Sequence, residues 1–203
     1  MPETVNDTEK QIFDAAIKVF QRKGMAGARM QEIADEAGIN KSMLHYYFRS
    51  KEKLFRQIFL ISLKKFIGSV VPLLNEQNTW EQKVPLIIEY YAKFLTENPD
   101  LPFFVLSEIR NNAEEFLSEV KIEDILINSV FMEQLKNDMG KEKIRRINPV
   151  QIFLSIISGI IFPFIAKPMV KHVAKLDDNS WNEFINERKD IVSGMVINYL
   201  KQF

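Results

Sequence analysis

The chain has 203 residues, 46% of them hydrophobic, and its 27 basic side chains balance its 27 acidic ones. This length and hydrophobic content are enough for a buried core, which excludes a chain that is disordered throughout. The sequence contains no cysteine, which excludes disulfides, thiolate metal sites and thiol catalysis and agrees with a reducing cytoplasm.

Charge is distributed unevenly along the chain. Residues 1–65 carry 12 basic and 8 acidic side chains, a net charge of +4, whereas residues 66–203 carry 15 basic and 19 acidic ones, a net charge of −4. A positively charged surface attracts polyanions. This asymmetry therefore predicts an anion-binding surface in the N-terminal third.

Apolar residues recur at helical spacing along nearly the whole chain, and we find no strand-like alternation flanked by hairpin turns. We therefore predict an all-α fold. The first helix is expected to end at Gly24, two short helices to follow at 30–37 and 41–48, and Ser50 to begin a fourth.

The connection between the two short helices carries a stop signal and a cap signal. Gly38 is suited to end the first of them, and Asn40 is suited to cap the second. Two short helices joined in this way predict a helix-turn-helix.

The remainder of the chain is predicted to form longer helices separated by prolines and polar turns. These helices are expected at 80–97, 101–115, 122–138, 149–166 and 180–202. The breaks are expected at Pro72, Asn98-Pro99, Gly140, Asn148-Pro149, Lys167-Pro168 and 177–179.

The longest apolar run, 150–166, is too short and too interrupted for a membrane span. It contains Gln151, Ser155 and Pro163, and it falls short of the roughly 20 apolar residues that cross a bilayer. The N-terminus also lacks the basic start and apolar stretch of a secretory signal. We expect a cytoplasmic protein with no membrane partner, in which this run is a buried helix at an interface.

Residues 24–55 carry a joint pattern of small, apolar and aromatic positions. A small-residue turn after the first helix is followed by Ile33-Ala34, Ala37-Gly38-Ile39, Leu44-x-x-Tyr47-Phe48 and Ser50-Lys51-x-x-Leu54. This pattern resembles the DNA-binding region of the TetR family, and the resemblance covers roughly the first 60 residues. It implies an N-terminal three-helix helix-turn-helix domain at 1–50 and a C-terminal helical domain for ligand binding and dimerisation at 51–203.

The third helix is the predicted recognition helix, because Leu44 and Phe48 are four residues apart and face the core. Its solvent side then presents small and polar groups to a DNA groove. The resemblance implies that His45 and Tyr46 touch the sugar-phosphate backbone and that Lys51 meets a phosphate. The predicted DNA-binding residues are Arg29, Gln31, Lys41, Ser42, Met43, His45, Tyr46 and Lys51. An imidazole of His45 that only faces solvent remains an alternative.

A single helix-turn-helix contacts too little DNA for useful affinity, so we expect a homodimer that binds double-stranded operator DNA. The last two helices are the expected interface, because apolar residues surround almost the whole of 150–165. The predicted interface residues are Phe153, Ile156, Ile160, Phe164, Trp181, Phe184 and Met195.

An aromatic ligand pocket is predicted between the middle helices, of a kind that suits a flat or largely apolar molecule. The candidate lining residues are Tyr90, Tyr91, Phe94, Phe103, Phe104, Phe131 and Phe153, with ordinary core packing as the alternative for each. Glu89 and Glu108 are expected to be exposed.

The two histidines, His45 and His172, lie far apart, and no glycine-rich phosphate loop or metal-ligand spacing is present. We therefore expect no enzyme, catalytic residue, cofactor or metal. The prediction is a DNA-binding transcriptional regulator, namely a repressor released by a small apolar or aromatic effector. A regulator without a small-molecule ligand and an activator are the alternatives.

Overall fold

The computed structural model describes residues 7–111, 113–121, 125 and 127–201. These residues form helices and connecting turns without any strand, which confirms the predicted all-α class. The chain divides into two compact units, Met1–Lys65 and Phe66–Phe203. This division lies inside the fourth helix. The sequence instead places the boundary between the two functional domains at 50/51, and that boundary stays a prediction.

The N-terminal unit contains α1 (Asp7–Gly27), α2 (Met30–Glu36), α3 (Lys41–Tyr47) and the first part of α4 (Lys51–Asn75). The backbone of α1 is broken at Gly24, whose φ of 66° and ψ of 171° lie in a region that favours glycine. The regular helix therefore ends where the sequence predicts, and a short turn from Met25 leads towards α2.

The core of this unit follows from one apolar stripe on each helix. Phe20 packs edge-on against Phe55 with ring centroids 5.0 Å apart, and Phe13 packs on Phe48 at 5.3 Å. The buried residues of the unit include Ile12, Ala15, Ala16, Val19, Phe20, Ala28, Ile33, Ala34, Ala37, Leu44, Phe48, Leu54, Phe55, Ile58 and Phe59. This stripe packing fixes which faces of α2 and α3 remain outside.

The second unit contains the end of α4 and seven further helices for which bounds are described. They are α5 (Trp80–Glu97), α6 (Leu101–Asn111), α7 (Ala113–Val120), α8 (Val130–Gly140), α9 (Pro149–Ile165), α10 (Lys167–Ala174) and α11 (Asp178–Lys201). α5, α9 and α11 pack on one another, and α8 packs on both α5 and α9.

Several predicted helix bounds in this unit are wrong. Pro72 lies inside α4 and does not end it. The helix predicted at 101–115 corresponds to α6 and the start of α7, which are described on either side of residue 112, and α7 continues to Val120. Residue 112 lies outside the described residues, so the prediction of one continuous helix there stays a prediction. The helix predicted at 122–138 corresponds to α8, which begins at Val130; residues 122–124 and 126 lie outside the described residues.

The break predicted at Lys167-Pro168 is present within two residues, because α9 ends at Ile165 and α10 begins at Lys167, with the two helices bent by 78°. The helix α10 was not predicted, and Pro168 is accommodated in its first turn because a proline there removes no intrahelical hydrogen bond. The last helix begins two residues earlier than predicted, at Asp178, and it is described as far as Lys201.

One cation is fully buried in the second unit. Lys83 is 0% exposed, and its Nζ donates to the Leu74 carbonyl oxygen at 3.0 Å, near the C-terminal end of α4. A positive charge is favourable at that end of a helix. Burial lowers the pKa of Lys83 below its ordinary value. Lys83 therefore joins the end of α4 to α5.

Among the described helices, one helix and one bent pair of helices are long and apolar enough to cross a membrane. The single helix is α4, with 28% of its apolar stretch buried, and the pair is α9 and α10, which are bent by 78°. One or two helices of this kind are weak evidence for a membrane span, and the expected absence of a membrane partner stays a prediction.

Candidate nucleic-acid interface

The turn between α2 and α3 is fixed by backbone hydrogen bonds around Gly38. The Gly38 N–H donates to Asp35 O at 3.1 Å and the Ile39 N–H donates to Ala34 O at 3.0 Å, a pairing that ends a helix in a Schellman motif. Gly38 has a φ of 65°, which only glycine adopts without strain. The predicted stop signal is therefore present and sets the angle between the two helices.

α3 begins with the predicted cap. The Asn40 Oδ1 accepts a hydrogen bond from the Met43 backbone N–H at 2.7 Å. At the other end of the helix, the Phe48 N–H donates to Leu44 O at 2.8 Å. A helix of only two turns is thus secured at both ends by the local sequence.

Burial divides α3 into two faces as the spacing predicts. Leu44 is 0% exposed and Phe48 is 3% exposed. All five predicted contact residues on this helix are exposed, namely Lys41, Ser42, Met43, His45 and Tyr46. Tyr46 is 84% exposed, the largest value among the exposed large hydrophobic side chains. An unusually exposed aromatic ring therefore lies beside polar groups on one helix face.

The start of α2 departs from an ordinary capped helix. Arg29 occupies the N-cap position and forms no side-chain cap hydrogen bond, and the Glu32 carboxylate accepts from the Arg29 N–H at 3.4 Å. Gln31 is exposed, but its Nε2 already donates to Asp35 Oδ1 at 2.8 Å. Arg29 is therefore directly accessible to an anion, whereas Gln31 has to leave Asp35 before its amide can donate to DNA.

Acidic residues of α2 neutralise the end of α1. The Lys23 ammonium donates to Glu32 at 2.6 Å and holds the pKa of that carboxyl below its ordinary value. The hydrogen bond from Arg22 to Glu36, at 2.9 Å, lowers the pKa of Glu36 in the same way. The net positive charge of the unit is therefore carried by other side chains.

Those other cations lie near α3. Within the described ranges of the chain, Lys41, Arg49 and Lys53 are exposed and have no acidic side chain within ion-pair distance. They surround the exposed face of α3 in sequence, before and after the helix. This placement agrees with the predicted anion-binding surface.

Lys51 differs from these exposed cations. It is half-buried, and its Nζ donates to Met25 O at 2.8 Å and to Ala28 O at 3.1 Å. Two of its three N–H donors are therefore occupied by the protein backbone. Sequence reasoning missed these hydrogen bonds because they join residues more than 20 positions apart.

The predicted pocket residues of the second unit have differing exposures. Phe104, Phe131 and Phe153 are buried, whereas Tyr90 is 43% and Phe103 is 55% exposed. Burial raises the pKa of the Tyr91 hydroxyl above its ordinary value.

Their aromatic contacts belong to separate clusters of rings. Phe131 and Phe153 lie with ring centroids 5.5 Å apart, while Phe66 stacks on Phe94 at 4.3 Å and lies 5.7 Å from Tyr91. The predicted role of these residues in ligand binding stays a prediction. Glu108 is buried at 8% exposure, contrary to its expected exposure, whereas Glu89 is exposed and pairs with Lys189.

A groove of about 650 Å³ lies along α9 and α11 and was not predicted. Its lining includes the polar side chains of Gln151, Ser155 and Arg188 and the partly apolar ones of Met195 and Tyr199. None of the seven predicted pocket residues lines it. The only residue that the groove shares with the predicted interface is Met195.

The predicted interface residues are mostly packed inside the single chain. Phe153, Ile156, Ile160, Phe164 and Trp181 are buried, Phe184 is half-buried, and Met195 is 64% exposed. The exposed apolar residues on the same two helices are Val150, Leu154, Phe162, Ile191, Met195 and Tyr199. We call these six residues the α9–α11 face. They recur at helical spacing. The sequence places the interface on these two helices, but only Met195 of the six is among the seven predicted interface residues.

Comparison with known proteins supports the sequence resemblance. Residues 12–58 match the sequence model for the family described as bacterial regulatory proteins, tetR family. The matched range contains α2, the turn and α3, together with parts of α1 and α4.

Two relatives are transcriptional regulators. The fatty acid metabolism regulator protein of Bacillus subtilis (strain 168) is 28% identical over 57% of this chain and 59% of its own length. The transcriptional repressor NicS of Pseudomonas putida is 29% identical over 50% of this chain and 48% of its own length. The chain therefore matches about half the length of each. Both relatives are regulators, which agrees with the expectation that the chain is not an enzyme.

Among solved structures, the chain resembles the regulator FadR from Bacillus subtilis in its complex with stearoyl-CoA. The TM-score is 0.64 and the identity 20%, over 94% of this chain and 98% of that one. The TM-score shows a common fold over nearly all of the chain, and at 20% identity the likeness shows the fold alone.

Proposed function

We propose that the chain, which belongs to the TetR family of bacterial regulators, is a dimeric transcriptional repressor that a largely apolar small molecule releases from its operator. The proposal rests mainly on the two faces of α3. One face is buried through Leu44 and Phe48, and the other exposes the side chains of Lys41, Ser42, Met43, His45 and Tyr46. A helix that enters a major groove needs such a free face and a firmly packed back.

The exposed residues of α3 have complementary chemistry for DNA. Ser42 is small enough to let the helix approach and can hydrogen-bond a base edge, and Met43 suits apolar contact with a thymine methyl group. Lys41, His45 and Tyr46 are proposed to contact the phosphates and sugars that position the helix.

Arg29 adds a phosphate contact from the start of α2, and Gln31 contacts the DNA once it leaves Asp35. The unit that carries these groups, residues 1–65, has a net charge of +4. Lys51, at the start of α4, is not included among these contacts, because two of its three N–H donors are already occupied by backbone carbonyl oxygens.

The α9–α11 face is proposed to form the twofold interface. Leu154 is 53%, Phe162 55% and Met195 64% exposed in the single chain. Apolar residues clustered in this way on two adjacent helices are typical of an association surface. A twofold dimer would present two α3 helices to half-sites about 34–36 Å apart, or multiples of that distance.

The effector is proposed to bind in the second unit, which holds the aromatic side chains predicted as its lining. The similarity to a fatty acid metabolism regulator, and to a solved complex that contains stearoyl-CoA, supports an effector with a long apolar part. Binding would favour a dimer whose two α3 helices are out of register with the operator half-sites. We also propose that the protein is located in the cytoplasm, where a bacterial regulator binds its operator DNA.

DNA binding is tested with a duplex that the unmodified protein selects from a random-sequence pool. Lys41→Ala and Arg29→Ala are expected to weaken binding to every sequence and to lower the slope of log K against log salt by about 0.9 each. Ser42→Ala and Met43→Ala should instead relax base preference. The exposed Lys10 on α1 supplies the control Lys10→Ala. Failure of the unmodified protein to select any duplex would refute the proposal.

The interface is tested by introducing charge. Leu154→Asp and Met195→Asp should convert the dimer to a monomer in sedimentation experiments, because each would bury an unpaired carboxylate in the interface. The matched control is Leu106→Asp, which alters an equally apolar side chain that is 47% exposed on α6. Dissociation by the control alone would place the interface elsewhere.

Effector binding is tested by thermal shift with a long-chain acyl-CoA, a free fatty acid and a flat aromatic acid. A ligand that binds the folded state at a concentration 100 times its dissociation constant adds about 2.7 kcal/mol of stability. An increase in melting temperature together with release of DNA supports the repressor proposal. DNA binding that no compound changes favours a regulator without a small-molecule ligand.

A further inference from the structure

Lys51 holds the segment that joins α1 to α2. Its Nζ donates to Met25 O and Ala28 O, at 2.8 and 3.1 Å, and these carbonyls lie near the two ends of the turn that follows Gly24. The segment has only one further backbone hydrogen bond outside regular helix, from the Ala28 N–H to Gly24 O at 3.2 Å. Lys51 therefore supplies two of the hydrogen bonds that determine the path of this turn.

The segment leads directly to the proposed DNA contacts on α2. Ala28 is 2% exposed, and the next residue, Arg29, is in an extended conformation with φ of −119° and ψ of 142°. The Lys23 to Glu32 ion pair ties the same connection on its exposed side. A change in the path of residues 25–28 would therefore move the backbone of Arg29 and the first turn of α2.

The neighbouring cations show that this arrangement is specific to Lys51. Lys53 follows two residues later on α4, is exposed, and has no acidic partner within ion-pair distance in the described ranges. Its backbone N–H donates to Ser50 Oγ at 3.2 Å, as expected for the first turn of a capped helix. The Lys51 ammonium therefore binds backbone carbonyl oxygens, whereas the Lys53 ammonium is exposed to solvent.

We infer that Lys51 is a positioning residue for DNA binding, acting through the Met25 and Ala28 carbonyls to hold Arg29 and the start of α2, and that it does not neutralise a phosphate. This inference rests on the proposed DNA-binding function. It replaces the phosphate contact that the sequence resemblance implies for Lys51.

The test compares Lys51→Met with Lys53→Met in the full chain. Both substitutions remove one positive charge and keep a long side chain, but only the first removes hydrogen bonds to the turn. Three quantities are measured, namely amide hydrogen exchange at residues 25–31, the melting temperature, and the salt dependence of binding to the selected duplex.

Lys51→Met is expected to speed amide exchange at residues 25–31, to lower the melting temperature by roughly 2–8 °C, and to weaken binding while leaving the salt slope unchanged. Lys53→Met should leave the exchange rates and the melting temperature unchanged. A salt slope that falls by about 0.9 for Lys51→Met overturns the inference, and so do unchanged exchange rates.

Two safeguards keep the outcome decisive. If Lys51→Met does not fold, Lys51→Gln is measured in the same way against Lys53→Gln. Glutamine is uncharged and shorter than lysine, but its side-chain amide can still donate a hydrogen bond. If the unmodified protein selects no duplex, the DNA-binding proposal fails, whereas the exchange data still show whether Lys51 holds residues 25–28.

Discussion

Arg188 supplies the hydrogen bond that the Gly159 carbonyl lacks within its own helix. Pro163 lies four residues after Gly159 in α9 and has no backbone N–H, so the usual intrahelical donor is missing. The Arg188 Nε, on α11, donates to Gly159 O at 2.9 Å. This hydrogen bond joins α9 to α11 at the turn that the proline interrupts.

Arg188→Ala is expected to destabilise the second unit by about 1–3 kcal/mol, because it leaves a partly buried carbonyl without a donor. Unfolding in denaturant can be followed by the fluorescence of Trp80 and Trp181, the only two tryptophans, which both lie in this unit. The control is Arg110→Ala, which removes an exposed arginine on α6 in the same unit.

The double variant identifies the cause of that loss. Pro163→Ala restores a backbone N–H four residues after Gly159, so Arg188→Ala should cost about 1 kcal/mol less in the Pro163→Ala background than in the unmodified chain. Equal costs in both backgrounds would show that Arg188 acts through its packing and not through the Gly159 carbonyl.

Gly159→Ala is expected to destabilise the second unit by about 1–3 kcal/mol through overpacking. A Cβ at this position would lie 3.0 and 3.2 Å from the two γ carbons of Val192, on the facing helix. The matched control is Gly68→Ala in α4, where a Cβ meets nothing within 4 Å. The control should stabilise by about 0.5–1 kcal/mol, since alanine is the better helix former. A stabilising Gly159→Ala would contradict the close approach of α9 and α11.

Gly38→Ala is expected to cost about 1–2 kcal/mol, because alanine is strained at a φ of 65° although a Cβ would meet nothing within 4 Å. Gly38→Asn should cost less, since asparagine tolerates this conformation better. Circular dichroism melting of both variants measures the difference. Indistinguishable melting temperatures for alanine and asparagine would argue against backbone strain as the cause.

The pH dependence of the N-terminal unit should reflect Glu32 and Glu36. Ion pairs with Lys23 and Arg22 hold the pKa of each carboxyl below its ordinary value of 4.5. Their stabilising contribution is therefore fully present above that value, and it is lost as the pH falls through the lower pKa of the folded state.

Hydrogen exchange in α1 and α2 as a function of pH checks this expectation. In the double variant Glu32→Gln, Glu36→Gln, the protection of backbone amides against exchange should decrease less on acidification than in the unmodified chain. Glu9→Gln, at a residue outside these ion pairs, should leave the pH dependence of protection unchanged. An unaltered pH profile in the double variant would show that the ion pairs do not stabilise the unit.

Local signals made the N-terminal unit predictable from sequence. Gly38 and Asn40 act within a few residues of their own positions, so the helix ends and the free face of α3 follow from the chain itself. The hydrogen bonds of Lys51 to Met25 O and Ala28 O could not be predicted from local signals, because they depend on tertiary packing.

The second unit was less predictable because tertiary contacts override its local signals. Pro72 was expected to break α4, but Pro72 and Gly68, whose carbonyl loses its donor, are both exposed, so water can satisfy that carbonyl. The burial of Glu108, and the choice of which side of α9 faces outwards, are likewise set by neighbouring helices that no local pattern specifies.

The free face of α3 has a consequence for how such a protein can diversify. The shape of the helix is set by Asn40, Leu44 and Phe48, whereas the side chains at 41–43, 45 and 46 support no part of the interior. Under the proposed function, substitutions at those five positions should therefore alter which promoters the protein occupies without threatening its folding. Duplicated copies of the gene would be free to acquire new targets through a handful of codons.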